Sequence, residues 1–168
     1  LMNPTIHYIA LLQWIMGPVD SVYANMATLA HNMEAEDVAT ATLKFKSGAL
    51  GVIEGSTATY PGIPERIEIH GEKGSVIVEG SKMRLWKFRD DRKEICADTI
   101  SVNTGANNAA AIEHESHRVQ IEDMVKAILE DREPAITGEE ARKAVEIVLA
   151  AYKSARKEQL VKFPLVSD

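Results

Sequence analysis

Five histidines and one cysteine hold most of the acid–base and nucleophilic chemistry available to this chain of 168 residues. His7 stands out, four residues after an asparagine in Asn3-Pro4-Thr5-Ile6-His7, on what reads as the first turn of a helix. An imidazole titrates near neutral pH, and set against a substrate hydroxyl it can act as general acid or base, worth about 10²–10⁴ in rate. Asn3, one turn earlier, can lend a hydrogen bond, although an asparagine in that place also serves as a helix cap. From local sequence alone, a packed structural histidine accounts for His7 at least as well.

The other candidates are weaker. His114 and His117, in Glu113-His114-Glu115-Ser116-His117, are spaced so that two imidazoles can share a helix face and hold zinc. No cysteine stands near them and the HExxH pattern is absent. Carboxylates there also suit a helix N-terminus without any metal, so no metal site is expected. His31 and His70 fall at strand ends beside turn residues, where solvated side chains are the ordinary outcome. Trp14 and Trp86 read as core or interface anchors, and Cys96, inside an expected strand, as an inert buried thiol. Gly71-Glu72-Lys73-Gly74 and Glu79-Gly80-Ser81-Lys82 supply turns, but neither is GxGxxG and neither leads into a helix. No phosphate-cradling loop and no Ser–His–Asp order stands out.

Composition narrows the partners. A formal net charge of −6 with scattered lysines and arginines argues against nucleic acid or an anionic membrane. No stretch approaches the ~20 apolar residues that cross a bilayer. A single cysteine excludes an intrachain disulfide and fits a reducing, cytoplasmic setting. The length suits one domain over residues 1–168, able to bury roughly 70% of its unfolded surface. The first residues carry neither the basic start nor the cleavage site of a signal peptide, and the opening on a helix reads as a fragment.

Several elements must position these residues. Asn3 as N-cap, Pro4 at the first helical position and Gly17-Pro18 at the end predict a helix over 3–17, with Ile6, Ile9, Leu12, Ile15 and Met16 as its apolar stripe. From there the period becomes two. Strands are expected over 21–30, 36–45 and 49–60, with Ser47-Gly48 as a hairpin turn. Further strands are expected over 65–71, 75–80, 82–88 and 94–102. In the second strand Ala39, Ala41, Leu43 and Phe45 point one way, and Val38, Thr40, Thr42 and Lys44 the other. Thr40, Thr42, Thr57 and Thr59 would give the second face a polar surface open to solvent, ligand or another subunit. Residues 103–114 are the long loop candidate. Two helices follow: 116–131, with Ile121, Met124, Val125, Ile128 and Leu129 on one face, and another opened by a Thr137/Glu140 capping box. Residues 160–164 add a short strand. Strands in a block followed by helices give α+β, an open-faced and mainly antiparallel sheet with helices packed on one face.

Taken together, LMNPTIHYIALLQWIMGPVDSV, EDVATATLKFKSGALGVIEGS, PERIEIHGEKGSVIVEG, HRVQIEDMVKAILEDREPAITGEEARKAVEIVLAAYKSA and the closing VKFP resemble one family. It is the C-terminal domain of the glucose–fructose oxidoreductase / inositol dehydrogenase (Gfo/Idh/MocA) family, with a fold like the C-terminal domain of dihydrodipicolinate reductase. Within it, the fullest likeness is to the branch oxidising sugar nucleotides. The resemblance implies a two-lobed parent in which a first, Rossmann lobe binds NAD or NADP and supplies a catalytic lysine from a Glu-Lys-Pro motif. That motif does not occur in this sequence. In the parent, Asn3-Pro4-Thr5-Ile6-His7 would match the Asp/Asn-x-x-x-His motif, giving His7 the acid–base role and both Asn3 and His7 the substrate-facing positions. Relatives carry Gln-Gly at Pro4-Thr5 and aspartate at Ala10, so three changes cluster around the expected site. They point to relaxed selection for catalysis or to redesign.

Two expectations follow. One is a substrate-binding and oligomerisation domain of a sugar or sugar-nucleotide dehydrogenase, a truncated or engineered piece inactive by itself and holding no cofactor. The alternative is a stand-alone assembly module with no catalytic role, forming a homodimer or homotetramer through the sheet face. Ala39, Ala41, Ala49 and Gly51 are the residues expected to allow close sheet-to-sheet or sheet-to-helix packing there, with Ile53→Lys as the probe of that face.

Overall fold

The computed structural model describes residues 1, 5–80, 82–90, 95–96 and 115–165, which gather into two compact units. Unit 1 comprises Leu1–Thr59 and Asp131–Asp168, and unit 2 comprises Tyr60–Glu130.

Unit 1 opens with helix α1 (Ile6–Met16), which starts later than expected. Thr5 occupies the N-cap position and its side chain makes no capping bond, while Asn3 and Pro4 lie outside the described residues. The helix stops at Gly17, whose φ of 82° only glycine adopts without strain and whose N–H donates to the Gln13 carbonyl at 2.8 Å. Strands β1 (Val19–Ala27), β2 (Val38–Phe45) and β3 (Leu50–Ser56) follow, then helix α3 (Gly138–Lys157) and strand β8 (Val161–Lys162) after the elements of unit 2. The sheet runs β3-β2-β1-β8, every pairing antiparallel. The turn between β2 and β3 falls at Ser47-Gly48, as the hairpin signal predicts.

Period-two alternation decides which side of this sheet is dry. Ala39, Ala41, Leu43 and Phe45 of β2 are buried, with Val22 and Ala24 of β1 and Ile53 of β3. They form one core with Ala144, Ile147, Val148, Ala150 and Ala151 of α3 and with Ile9 of α1. Helix α3 lies against β1, and α1 packs on α3, so both helices cover the same face. Of the two kinds of packing expected for the small residues, the structure shows sheet-to-helix, so Ile53 does not face another subunit. Ala39, Ala41 and Ile53 are in the helix-covered core, Ala49 packs against it, and Gly51 sits on the Phe45 ring. Residues one position along each strand face outward: Tyr23, Thr40, Thr42, Leu50 and Val52, the last two 78% and 74% exposed.

Helix α3 carries the predicted cap, with Thr137 Oγ1 accepting the Glu140 N–H at 3.2 Å, while the Glu140 carboxylate pairs with Lys143. In α1 the buried side is Ile9 and Gln13, flanked by Ile6, Ala10, Leu12 and Met16. Ile15, expected in the apolar stripe, is exposed instead, beside Leu11 and Trp14.

Unit 2 contains strands β4 (Arg66–Gly71), β5 (Gly74–Glu79), β6 (Lys82–Phe88) and β7 (Ile95–Cys96), then helix α2 (Glu115–Glu130). Its sheet runs β4-β5-β6-β7, again antiparallel throughout. Among the described residues the run of strands forms two four-stranded sheets. Along α2, Ala127 is buried, whereas Ile121, Met124, Val125, Ile128 and Leu129 are exposed. The loop expected over 103–114 lies outside the described residues.

Candidate functional site

The site begins with α1 as a rigid support. Its buried side fastens the helix to α3, which leaves His7 on the opposite, exposed side of the first turn. Leu11 and Trp14 lie four and seven residues on and so share that side, while Ala10 is turned towards the core. Trp14 is 71% exposed, a surface indole rather than a core anchor. Thr5 stands where the chain enters the helix: its N–H donates to the Leu1 carbonyl at 3.3 Å, and its carbonyl accepts the Ile9 N–H at 3.0 Å. The first turn is thus tied down while the imidazole stays accessible. An exposed imidazole on an anchored helix can give or take a proton from a hydroxyl laid against it.

The remaining sequence candidates scatter. His31 sits in the loop between β1 and β2, where its Nδ1 is 3.3 Å from Asp37 Oδ2. His70, on β4, bonds Ser75 Oγ through Nδ1 at 2.9 Å and Glu68 Oε2 through Nε2 at 3.2 Å. Glu68 in turn holds Arg66 at 2.6 Å. Both histidines are exposed as expected, yet both are tethered. This Ser–His–Glu line lies flat on an open sheet face, and catalytic use of such a line needs donors for an oxyanion and a substrate cavity. Trp86 meets Phe88 with ring centroids 5.2 Å apart and tilted by 56°. His117 is exposed on α2, whereas its proposed metal partner His114 lies outside the described residues. Among the described residues, no three His, Cys, Asp or Glu side chains come together to hold a metal ion. No helix among them is long and apolar enough to cross a membrane.

One important carboxylate goes unremarked in the sequence reading. Asp37 is buried and accepts three backbone N–H groups, from Leu29 at 2.8 Å, Ala30 at 2.7 Å and His31 at 2.8 Å. These donors, the Leu29 N–H foremost, hold its carboxyl down at about 2 against the upward pull of burial. The signal was present, since a short acidic side chain beside a turn habitually gathers nearby backbone N–H groups. It shapes the loop between β1 and β2.

With that geometry in place, comparison with known proteins adds a second line. Residues 1–163 match the model of the Gfo/Idh/MocA oxidoreductase family's C-terminal alpha/beta domain. The myo-inositol 2-dehydrogenase of Thermotoga maritima is 28% identical over 166 residues, covering 96% of this chain and 48% of that protein. The WlbA dehydrogenase of Bordetella pertussis, solved with NADH and UDP-GlcNAcA, is 33% identical with a TM-score of 0.79, over 98% of this chain and 45% of that one. The WlbA dehydrogenase of Chromobacterium violaceum, in complex with the same two ligands, is 34% identical with a TM-score of 0.80, over 99% and 46%. The chain therefore spans about half the length of these relatives.

Proposed function

The chain belongs to the Gfo/Idh/MocA oxidoreductase family through its C-terminal alpha/beta domain, and from that premise we propose that it is the substrate-binding and oligomerisation domain of an NAD(P)-dependent sugar or sugar-nucleotide dehydrogenase. The observation that supports this reading is the accessible imidazole of His7 on the anchored first turn of α1. In this proposal a substrate hydroxyl gives its proton to His7 while the carbon beneath it gives a hydride to a nicotinamide held by a separate nucleotide-binding lobe. Asn3, at the head of the same segment, contacts the substrate. The 168 residues contain no GxGxxG and no Glu-Lys-Pro, so the dinucleotide and the lysine come from that other lobe.

The test is a fusion that supplies such a lobe, assayed by NADH formation with UDP-linked sugar acids and with myo-inositol. His7→Ala should lower kcat by about 10²–10⁴ with little change in KM for NAD. The 168 residues assayed alone should show no turnover. Unchanged kcat in the His7→Ala fusion would sink the assignment.

A second reading, assembly through the sheet, is favoured by a separate observation. The outer face of the unit 1 sheet carries Tyr23, Leu50 and Val52 among Thr40, Thr42, Lys44 and Glu54, a mixed face in which Lys44 lies across from Leu50 and Glu54 across from Thr40. A two-fold axis through such a face makes it self-complementary.

A further inference from the structure

Gly55 lies on β3 opposite Ala39, on the face that α1 and α3 cover, in line with Gly51 and Ile53. A methyl group added there would stand 2.7 Å from Thr5 Oγ1, 3.4 Å from a Leu1 methyl and 3.7 Å from Thr5 Cβ. Only the first of these is closer than atoms tolerate. Thr5 yields less readily than the tip of a lysine would, because its oxygen sits on Cβ of a short β-branched side chain, two bonds from Cα, with χ1 as its one torsion. That backbone is engaged on both sides, with Leu1 and with Ile9. Meanwhile Ile9 and Gln13 lock the rest of α1 in the core. A push against Thr5 therefore displaces the first helical turn, and His7 rides on that turn, about 200° round the axis from Thr5.

We infer that Gly55 is a positioning residue for His7, acting through Thr5: the missing side chain is the seat that sets the height of the α1 entry above β3. The inference rests on the proposed role of His7 for its functional meaning. Its geometry stands independently.

The test compares Gly55→Ala, Thr5→Ala and the double variant by NMR of the His7 ring, following its chemical shifts, with thermal unfolding alongside. Gly55→Ala should shift the His7 ring signals and lower Tm. Thr5→Ala alone should leave them near the parent values, since that side chain makes no capping bond. The double variant should return the His7 signals to the parent position, because the contacts that remain, 3.4 Å and beyond, are ordinary. Unmoved His7 signals in a folded Gly55→Ala protein would overturn the inference. So would signals that stay displaced in the double variant, or a double variant that does not fold. If Gly55→Ala itself fails to fold, recovery in the double variant still supports the coupling. Failure of the His7 assignment shows elsewhere, as unchanged turnover of the His7→Ala fusion.

Discussion

Asp37 gathers the N–H groups of Leu29, Ala30 and His31 onto one buried carboxylate, so its charge state and the loop's shape are one question. Its pKa in the folded chain is depressed from an ordinary 3.8 to about 2. The folded state therefore gains from this group at all pH values above the ordinary one. That gain fades as pH falls from about 4 towards about 2, when the proton binds in both states. Asp37→Asn keeps one acceptor oxygen but turns an N–H₂ towards donors that had shared the other. The variant should melt at lower temperature near neutral pH, and its Tm should fall less steeply than the parent's between pH 4 and pH 2. Parallel Tm-versus-pH curves would show that the carboxylate does not carry the acid sensitivity. At this scale His7 is the converse case, an accessible group whose meaning depends on what is laid against it.

Between elements, polar side chains complete what the ladders leave unfinished. Strand β8 pairs with β1 only at Ser21 and Val22. Two residues on, the Ala24 N–H is satisfied by Ser154 Oγ of α3 at 3.0 Å, and that hydroxyl donates to the Gln159 carbonyl at 2.6 Å. One fully buried serine thereby extends the sheet edge and ties down the end of α3. Ser154→Ala strands the buried Ala24 N–H and leaves the Gln159 carbonyl to solvent, which should cost about 1–3 kcal/mol in urea or thermal unfolding. A loss within a few tenths of a kcal/mol would mean that water or a shifted backbone takes over both bonds. Helix α1 shows the same division of labour with apolar groups: one side is committed to α3, while Leu11, Trp14 and Ile15 stay outside with His7.

For the molecule as a whole, the two faces of the unit 1 sheet make opposite predictions for neighbouring residues. Val52 points outward and Ile53 inward. If the outer face carries assembly, light scattering after size exclusion should find a dimer or tetramer, and Val52→Lys should shift it towards the monomer with Tm nearly unchanged. Ile53→Lys places an unpaired charge in the core and should unfold the chain instead, so it cannot report on association. A monomeric parent chain would remove the assembly reading and leave the domain's role with His7.

Much of this was legible in the chain itself. Alternation in Val38–Phe45 separated a wet face from a dry one because side chains on a strand must alternate. Thr137 with Glu140 marked a helix start, and Gly17 a helix end, because both are satisfied by local backbone groups. The order of strands and helices, the α+β class and the family resemblance needed nothing further. Local rules failed where distance entered. Which face of the strands the helices cover depends on α3 returning, more than a hundred residues later in sequence, to lie on β1, and that placed Ala39, Ala41 and Ile53 in the core. The entry of α1 slipped from Asn3 to Thr5, and Thr5 came to rest over Gly55, fifty residues further along the chain. Asp37 and Ser154 became anchors because folding brought N–H groups to an acceptor with no water to replace it. Periodicity and capping act within a few residues and can be read from them; burial and the partners of buried polar groups are set by segments far apart, and only the folded chain decides them.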